Sequence, residues 1–331
     1  MNIQERVAII IKLGQYLKSN TQEWQDAKAL AYQKNGWFTP EFSQAAADEI
    51  ADNFLQKEQL EKWVAHYHMD DNISPKNVGI VMAGNIPMVG FHDMLAVFIS
   101  GHYQTIKLSS KDDVLIKHLV KFLYKEDVEI QNHISCAEML KGCDAYIATG
   151  GSNAAKSFEE YFGKYPSIIR KNKTSVAILN GNETTAELES LSDDIHLYFG
   201  LGCRNVTKLY VPKSYDFVPI IHSFHKYKWF GDHHKYKNNL DYQLSITLLN
   251  NVYYMTNDST LLIENKNIFS PISQVFYEFY DDENELQKTL KNNIEIQCIV
   301  GHNNIPFGEA QKPNLFTYAD GVDTMEFLLT L

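Results

Sequence analysis

GIVMAGNIPMVGFHDMLAVFISGHYQTIKLSS, residues 79–110, decides the fold. The run Val78–Gly84 is apolar and ends in glycine, the pattern of a buried strand meeting a loop. Phe91–Ser100 is helical, and Tyr103–Leu108 (YQTIKL) is a second strand. A strand, a loop, a helix and a second strand in one short span predict a parallel pair, since parallel strands need a crossover and a helix usually supplies it.

The same rhythm continues downstream. Val114–Tyr124 is a helix, and Ala145–Ala148 is a strand running into Thr149-Gly150-Gly151-Ser152-Asn153. Asn153–Gly163 is a further helix, while Ser167–Arg170 and Ser175–Leu179 are short strands. The expectation is a doubly wound parallel sheet, with ligands at the carboxyl ends of the strands, where Asn85, Ser109 and Gly150 lie. The TGGSN cluster is too short for a G-x-G-x-x-G fingerprint. Taken alone it is a tight turn feeding a helix, with Ser152 or Asn153 as N-cap. The open N–H groups of such a helix start also suit a phosphate. Upstream, Met1 to about Met69 is helical, with Thr39-Pro40-Glu41 as a start signal, and Asp70–Lys76 is a polar break.

Beyond Thr174 the texture shifts. An acidic helix, Glu183–Tyr198, leads to LYFGLGCRNVTKLYV (Leu197–Val211), which sets Cys203 after two glycines and before a polar turn. A thiol placed so is accessible, and the backbone there can turn its N–H groups toward a bound carbonyl, so Cys203 is the candidate nucleophile. Phe217–Tyr227 begins another helix. Phe224–Tyr242 is dense in lysines and aromatic rings, a candidate surface for an adenine joined to phosphates, the nucleotide end of CoA, or else a solvated face. Strands return at Val252–Met255, Leu261–Glu264 and Gln274–Phe279, and Glu283–Asn292 is a helix.

Composition bounds the rest. The chain has 331 residues, 44% hydrophobic and 21% charged, room for about two soluble domains. A net charge of −11 argues against nucleic acid as a partner. Cys136, Cys143, Cys203 and Cys298 form no framework, so free thiols in a reducing compartment are expected, with Cys136 and Cys143 buried. The start has no signal-peptide pattern and no run is long enough to span a membrane, so the cytoplasm is expected. His66/His68 and His233/His234 have no third ligand at metal spacing, and no metal site is expected.

Five segments, taken in order, resemble the aldehyde dehydrogenase superfamily, and specifically the fatty acyl-CoA reductases of the bacterial luminescence type. They are residues 79–110, the turn IATGGSNAAK (Ile147–Lys156), SIIRKNKTSVAILNG (Ser167–Gly181), the Cys203 loop, and NIFSPISQVFYEF (Asn267–Phe279). The stretch PFGEAQKPNLFTYADGVDTMEFL (Pro306–Leu328) resembles the close of the short acyl-CoA reductases. On its own residues Asn85 before Pro87 is turn chemistry and Lys107 a solvated lysine. The resemblance instead implies Cys203 as nucleophile, Asn85 as an oxyanion-hole amide and Lys107 at the adenosine ribose. It further implies that Ser109, Ser110, Thr149, Gly150, Gly151, Ser152 and Phe269 line the cofactor.

It also implies a domain plan. Residues 1–173 would hold a helical N-terminal segment and a dinucleotide-binding domain, 174–305 an α/β catalytic domain, and 306–331 a segment packing back on the cofactor half.

Departures from the family pattern narrow the reading. Arg170 stands where aldehyde dehydrogenases carry the glutamate that activates water for deacylation. Reduction by hydride needs no such base, so the change favours a reductase. Ser110 followed by Lys111 replaces a carboxylate that would repel a 2′-phosphate, which leans to NADPH. Asn267 replaces the glutamate at the nicotinamide ribose. The segment before Asn77 lacks the superfamily's oligomerisation hairpin, leaving the oligomer open. The implied activity is NADPH-dependent reduction of an acyl-CoA or other acyl thioester to aldehyde, beside an acyl-activating synthetase as partner. The rivals are an acyl-phosphate reductase of the same fold, a cysteine acyltransferase or thioesterase, and a catalytically silent interaction subunit.

Overall fold

The structure, a computed structural model, describes residues 1–72 and 74–331, and at Ser152 the backbone alone. Ile73, within the polar break, lies outside the described residues. The chain forms two compact units, one of Met1–Asn172 with Pro313–Leu331, the other of Lys173–Lys312.

The first unit opens with helices Ile3–Leu17, Gln22–Lys34, Pro40–Asn53 and Lys57–His66. Their start signals are chemical. The Asn2 side chain accepts the Glu5 N–H while the Glu5 carboxylate accepts the Asn2 N–H, and the Thr39 hydroxyl accepts the Phe42 N–H beside Pro40. Leu13, Leu17, Trp24 and Trp63 form the buried side of these helices.

Five strands follow: β1 (Asn77–Val81), β2 (Tyr103–Lys107), β3 (Ile134–Cys136), β4 (Ala145–Thr149) and β5 (Ser167–Arg170). They form one parallel sheet in the order β3-β2-β1-β4-β5. Helices Phe91–Ile99, Val114–Glu126 and Ser152–Phe162 lie between them in the chain. The strand order reverses between β1 and β4, so loops leaving their carboxyl ends flank a topological switch point, where parallel sheets hold ligands. β3 is too short and too polar to stand out in the sequence. Cys136 lies on it exposed, not buried as expected; only Cys143 of that pair is inside.

Residues 313–331 complete this unit. Trp63 Nε1 donates to the Tyr318 hydroxyl (2.9 Å), His92 Nε2 to the Leu315 carbonyl (3.1 Å), and His102 Nε2 to the Leu328 carbonyl (2.9 Å).

The second unit is built on β6 (Thr174–Ile178), β7 (Val206–Pro212), β8 (Met255–Thr256), β9 (Leu261–Glu264), β10 (Gln274–Tyr280) and β11 (Ile296–Val300). Their order is β11-β6-β7-β10-β9-β8, parallel except for the β8–β9 pair. Leu188, Leu191, Ile195, Val206, Leu209, Phe224 and Val275 share one apolar core against the helix Thr185–His196. The strand expected at Val252–Met255 is reduced to β8. Residues 224–232 form a 3-10 turn and His234–Leu249 a helix, of which only Tyr236, Leu240 and Thr247 are buried.

Candidate active site

Cys203 owes its position to a sharp reversal. The helix Thr185–His196 runs into a 3-10 turn in which Tyr198, Phe199 and Gly200 take φ values of 56, 58 and 72°. For the first two, side chains in the left-handed region cost about 1–2 kcal/mol each, so the turn is held by its surroundings rather than by preference. Asn205 is what holds it. Its amide is fully buried: Oδ1 accepts the Gly202 N–H at 2.7 Å, while Nδ2 donates to the carbonyls of Asp194 (3.1 Å), Ile195 (3.2 Å) and Leu197 (2.9 Å). One side chain thus satisfies the helix's orphan carbonyls and fixes the residue before Cys203. The Cys203 carbonyl accepts the Ser175 hydroxyl (3.0 Å), and the Cys298 thiol lies 2.9 Å from that same hydroxyl. Cys203 itself is half-buried at the mouth of this turn, while burial pushes the Cys298 thiol up.

Two buried titratable groups brace the helix end. Asp194 accepts the N–H groups of Gly308 (2.7 Å) and Ala310 (3.0 Å), fastening residues 306–311 to the base of the cysteine loop. Burial raises its carboxyl to about 7 against those two bonds. His196 donates from Nδ1 to the Ser192 carbonyl (2.8 Å) and accepts the Thr260 hydroxyl at Nε2 (2.9 Å), and burial pulls it down to about 4. It is a neutral structural imidazole at pH 7. Sequence reasoning passed over Asn205, Asp194 and His196; the one available signal was an asparagine inside the polar turn after Cys203.

In the first unit the resemblance-derived residues gather at the carboxyl ends of three neighbouring strands. Asn85 is on the loop after β1, Lys107 ends β2 with its side chain exposed, Ser109 and Ser110 follow, and Thr149 ends β4. Gly84 packs on Ser109 so closely that a Cβ there would stand 2.6 Å from the serine's Cβ and Oγ. Gly150 and Gly151 turn the chain into the helix Ser152–Phe162, whose N-cap is Gly151 rather than Ser152 or Asn153. The Ser152 side chain lies outside the described residues. Arg170 is taken up by this unit's interior: Nη1 pairs with Asp93 at 2.5 Å and Nη2 donates to Thr324 Oγ1 at 2.7 Å.

Beside Ser109, Asp112 is buried, and desolvation lifts its carboxyl to about 7. A carboxyl raised on folding stabilises fully below the unfolded value near 4, and that contribution is lost as pH rises through 7. For this group the change between pH 5 and pH 8 is about 2–3 kcal/mol. Asp112→Asn should therefore flatten the pH dependence of thermal unfolding, gaining on the wild type as pH rises. Parallel curves for the two proteins would exclude the effect.

Phe269 is half-buried on the loop ahead of β10. That loop is pinned to β7 by Thr207 Oγ1 donating to the Ile268 carbonyl (2.6 Å) and by Lys208 Nζ donating to the Lys266 carbonyl (2.9 Å). Lys208 is fully buried and also pairs with Glu278. Asn267 is exposed on the same loop.

The patch Phe224–Tyr242 divides into buried and exposed rings. Tyr227, Phe230 and Tyr236 are buried against Phe199 and His196, while Trp229 and Tyr242 keep exposed rings. Lys226, Lys228 and Lys237 pair with Asp193, Asp258 and Asp241. The buried rings support the cysteine turn from behind. Among the described residues, no three His, Cys, Asp or Glu side chains form a metal cluster, and no helix is long and apolar enough to cross a membrane.

Comparison with known proteins fits this geometry. Aldehyde dehydrogenase 21 of Physcomitrella patens superposes with a TM-score of 0.68 at 13% identity, covering 91% of this chain and 74% of that one. HpcC of Thermus thermophilus gives 0.67 at 12%, covering 91% and 70%. At such identities the likeness is one of fold: an aldehyde-dehydrogenase-like α/β architecture. The long-chain acyl-protein thioester reductase 2 of Photobacterium leiognathi is 25% identical over 56% of this chain, a match that takes in 43% of that protein's own length. The model of the acyl-CoA reductase (LuxC) family matches residues 36–219, more than half of the chain and a span that includes Asn85, Lys107 and Cys203. The chain therefore belongs to the acyl-CoA reductase (LuxC) family.

Proposed function

We propose that the protein is an NADPH-dependent reductase that converts an acyl thioester to the aldehyde through an acyl group held on Cys203. The observation that carries this is the Cys203 turn, where a half-buried thiol is fixed by the fully buried Asn205 amide on a strained backbone. The Cys203 thiolate attacks the acyl carbon, the carrier's thiolate leaves and takes up a proton, and a new thioester stands on the enzyme. The backbone N–H of Cys203 is assigned to the oxyanion, a donor worth about 3–4 kcal/mol when lost. The nicotinamide, when bound, supplies a hydride to the acyl carbon. The resulting thiohemiacetal on Cys203 then collapses, releasing aldehyde and restoring the thiolate.

The residues of the first unit fit a dinucleotide. They offer a parallel-sheet switch point, a glycine turn opening the helix Ser152–Phe162 with no side-chain cap, and the exposed Lys107. Arg170, committed to Asp93 and Thr324, cannot act as the base that hydrolysis of the acyl-enzyme needs, which favours reduction. The acyl carrier is a thioester in either form, CoA or a protein thiol. The Photobacterium relative is named for the latter.

The deciding assay is incubation with acyl-CoA and NADPH. Loss of the nicotinamide absorbance with aldehyde formation is the expected result; release of CoA without it would replace the reductase by a transferase or hydrolase. Cofactor choice has its own test. Ser110→Glu puts a carboxylate where a 2′-phosphate would lie, and should weaken NADPH at least about tenfold more than NADH, a difference near 1.4 kcal/mol. Equal losses for the two nucleotides would remove the argument for NADPH.

A further inference from the structure

The carboxyl of Asp112 bridges two loops. Its Oδ2 accepts the Met88 N–H at 2.6 Å, reaching into the loop that carries Asn85, while its own N–H donates to the Ser109 carbonyl at 3.1 Å. These loops leave the carboxyl ends of β1 and β2, neighbouring parallel strands. Helix capping does not explain the side chain: the helix Val114–Glu126 has Asp113 at its N-cap, and Asp112 points across to the other loop instead. Its Oδ1 is buried and has no hydrogen-bond partner among the described residues. A carboxyl so placed is costly, and what it secures is the contact between the loops.

Two further features share that seam. Met88 sits at φ 55°, a left-handed conformation rare for a long side chain, in which its N–H meets Asp112. Gly84 touches Ser109 with no room for a Cβ, and that Cβ would also stand 3.2 Å from the Asp112 nitrogen. The Asn85 loop and the Lys107–Ser110 segment are therefore locked together at two points, Gly84 on Ser109 and Met88 on Asp112.

We propose that Asp112 is a positioning residue for the nicotinamide dinucleotide, holding the Asn85 loop and the Lys107–Ser110 segment as one preformed surface. This rests on the cofactor reading above. Preforming a surface adds affinity because less ordering remains to be done on binding.

The test measures NADPH affinity by fluorescence titration of the full chain. Asp112→Ala should weaken NADPH about tenfold. Asp112→Asn, which keeps an acceptor for the Met88 N–H, should restore affinity to within about twofold of wild type. Gly84→Ala should part the same loops from the other side and give a similar loss, a reading that stands if Asp112→Ala does not fold. Wild-type affinity in a folded Asp112→Ala or in Gly84→Ala would overturn the proposal, as would Asp112→Asn behaving like Asp112→Ala. Wild-type protein that binds neither NADPH nor NADH would instead overturn the cofactor reading itself.

Discussion

Cys203→Ala is expected to lower acyl-CoA reduction by about a thousandfold or more, the usual scale for losing a nucleophile, and to abolish the acyl adduct. The side chain is only half-buried and its carbonyl, not its thiol, makes the bond to Ser175. Removing the sulfur should thus leave the turn and the unfolding temperature close to wild type. The adduct is the decisive readout: intact-protein mass spectrometry after exposure to acyl-CoA, with peptide mapping of all four cysteines. Cys143 and Cys298 are buried, and Cys136 lies exposed on β3 of the other unit, so each control reports on a different environment. An acyl group found on Cys136, Cys143 or Cys298 with Cys203 unmodified would end the assignment.

Asn205→Ala should be the most damaging change that leaves every reacting group in place. It strips one N–H of its acceptor and three carbonyls of their donor, all around a side chain with no solvent exposure. The expected cost is about 3 kcal/mol or more, seen as a fall in unfolding temperature of about 5–10 °C. Catalysis should suffer separately. Without the amide the backbone at Tyr198–Gly200 keeps only its packing, such as Phe199 on Phe230 and Tyr236, to offset its left-handed geometry, and a displacement of the thiol by about 1 Å can cost on the order of a hundredfold. Measured well below the unfolding transition, acylation should slow while binding of NADPH, assigned to the first unit, stays unchanged. A folded Asn205→Ala that acylates at the wild-type rate would show that the turn holds itself.

How much of this could be read from the chain follows from the physics of each signal. The first sheet was legible because its strands are apolar runs closed by glycine or polar turns, and because the helices between them carry strong apolar faces. β3 and β11 escaped notice for the opposite reason. Ile134–Cys136 has a single buried residue, and Ile296–Val300 has only Cys298 and Val300 inside. The helix His234–Leu249 was hidden by lysines and asparagines on its exposed side. At the candidate site, Cys203 stands out in the sequence by its glycines, a local pattern. Asn205, Asp194 and Asp112 act by reaching backbone groups elsewhere in the fold, and a polar residue in a turn looks the same on paper whether it faces water or four buried partners. The aromatic patch is a related case: ring and charge alternate in the sequence, but Tyr227, Phe230 and Tyr236 turn inward and Lys226, Lys228 and Lys237 find carboxylates.

The path of the chain through its two units also bears on the order in which they can be finished. Unit two is one uninterrupted stretch, Lys173–Lys312, whereas unit one is split around it. During synthesis all five strands of the first sheet leave the ribosome before the second unit begins. Yet Trp63, His92, His102 and Arg170 must wait for Tyr318, Leu315, Leu328 and Thr324, which emerge only after Lys312. The half made first is thus completed last. Until then its interior has buried donors without acceptors, the kind of exposed, incomplete state on which chaperones act.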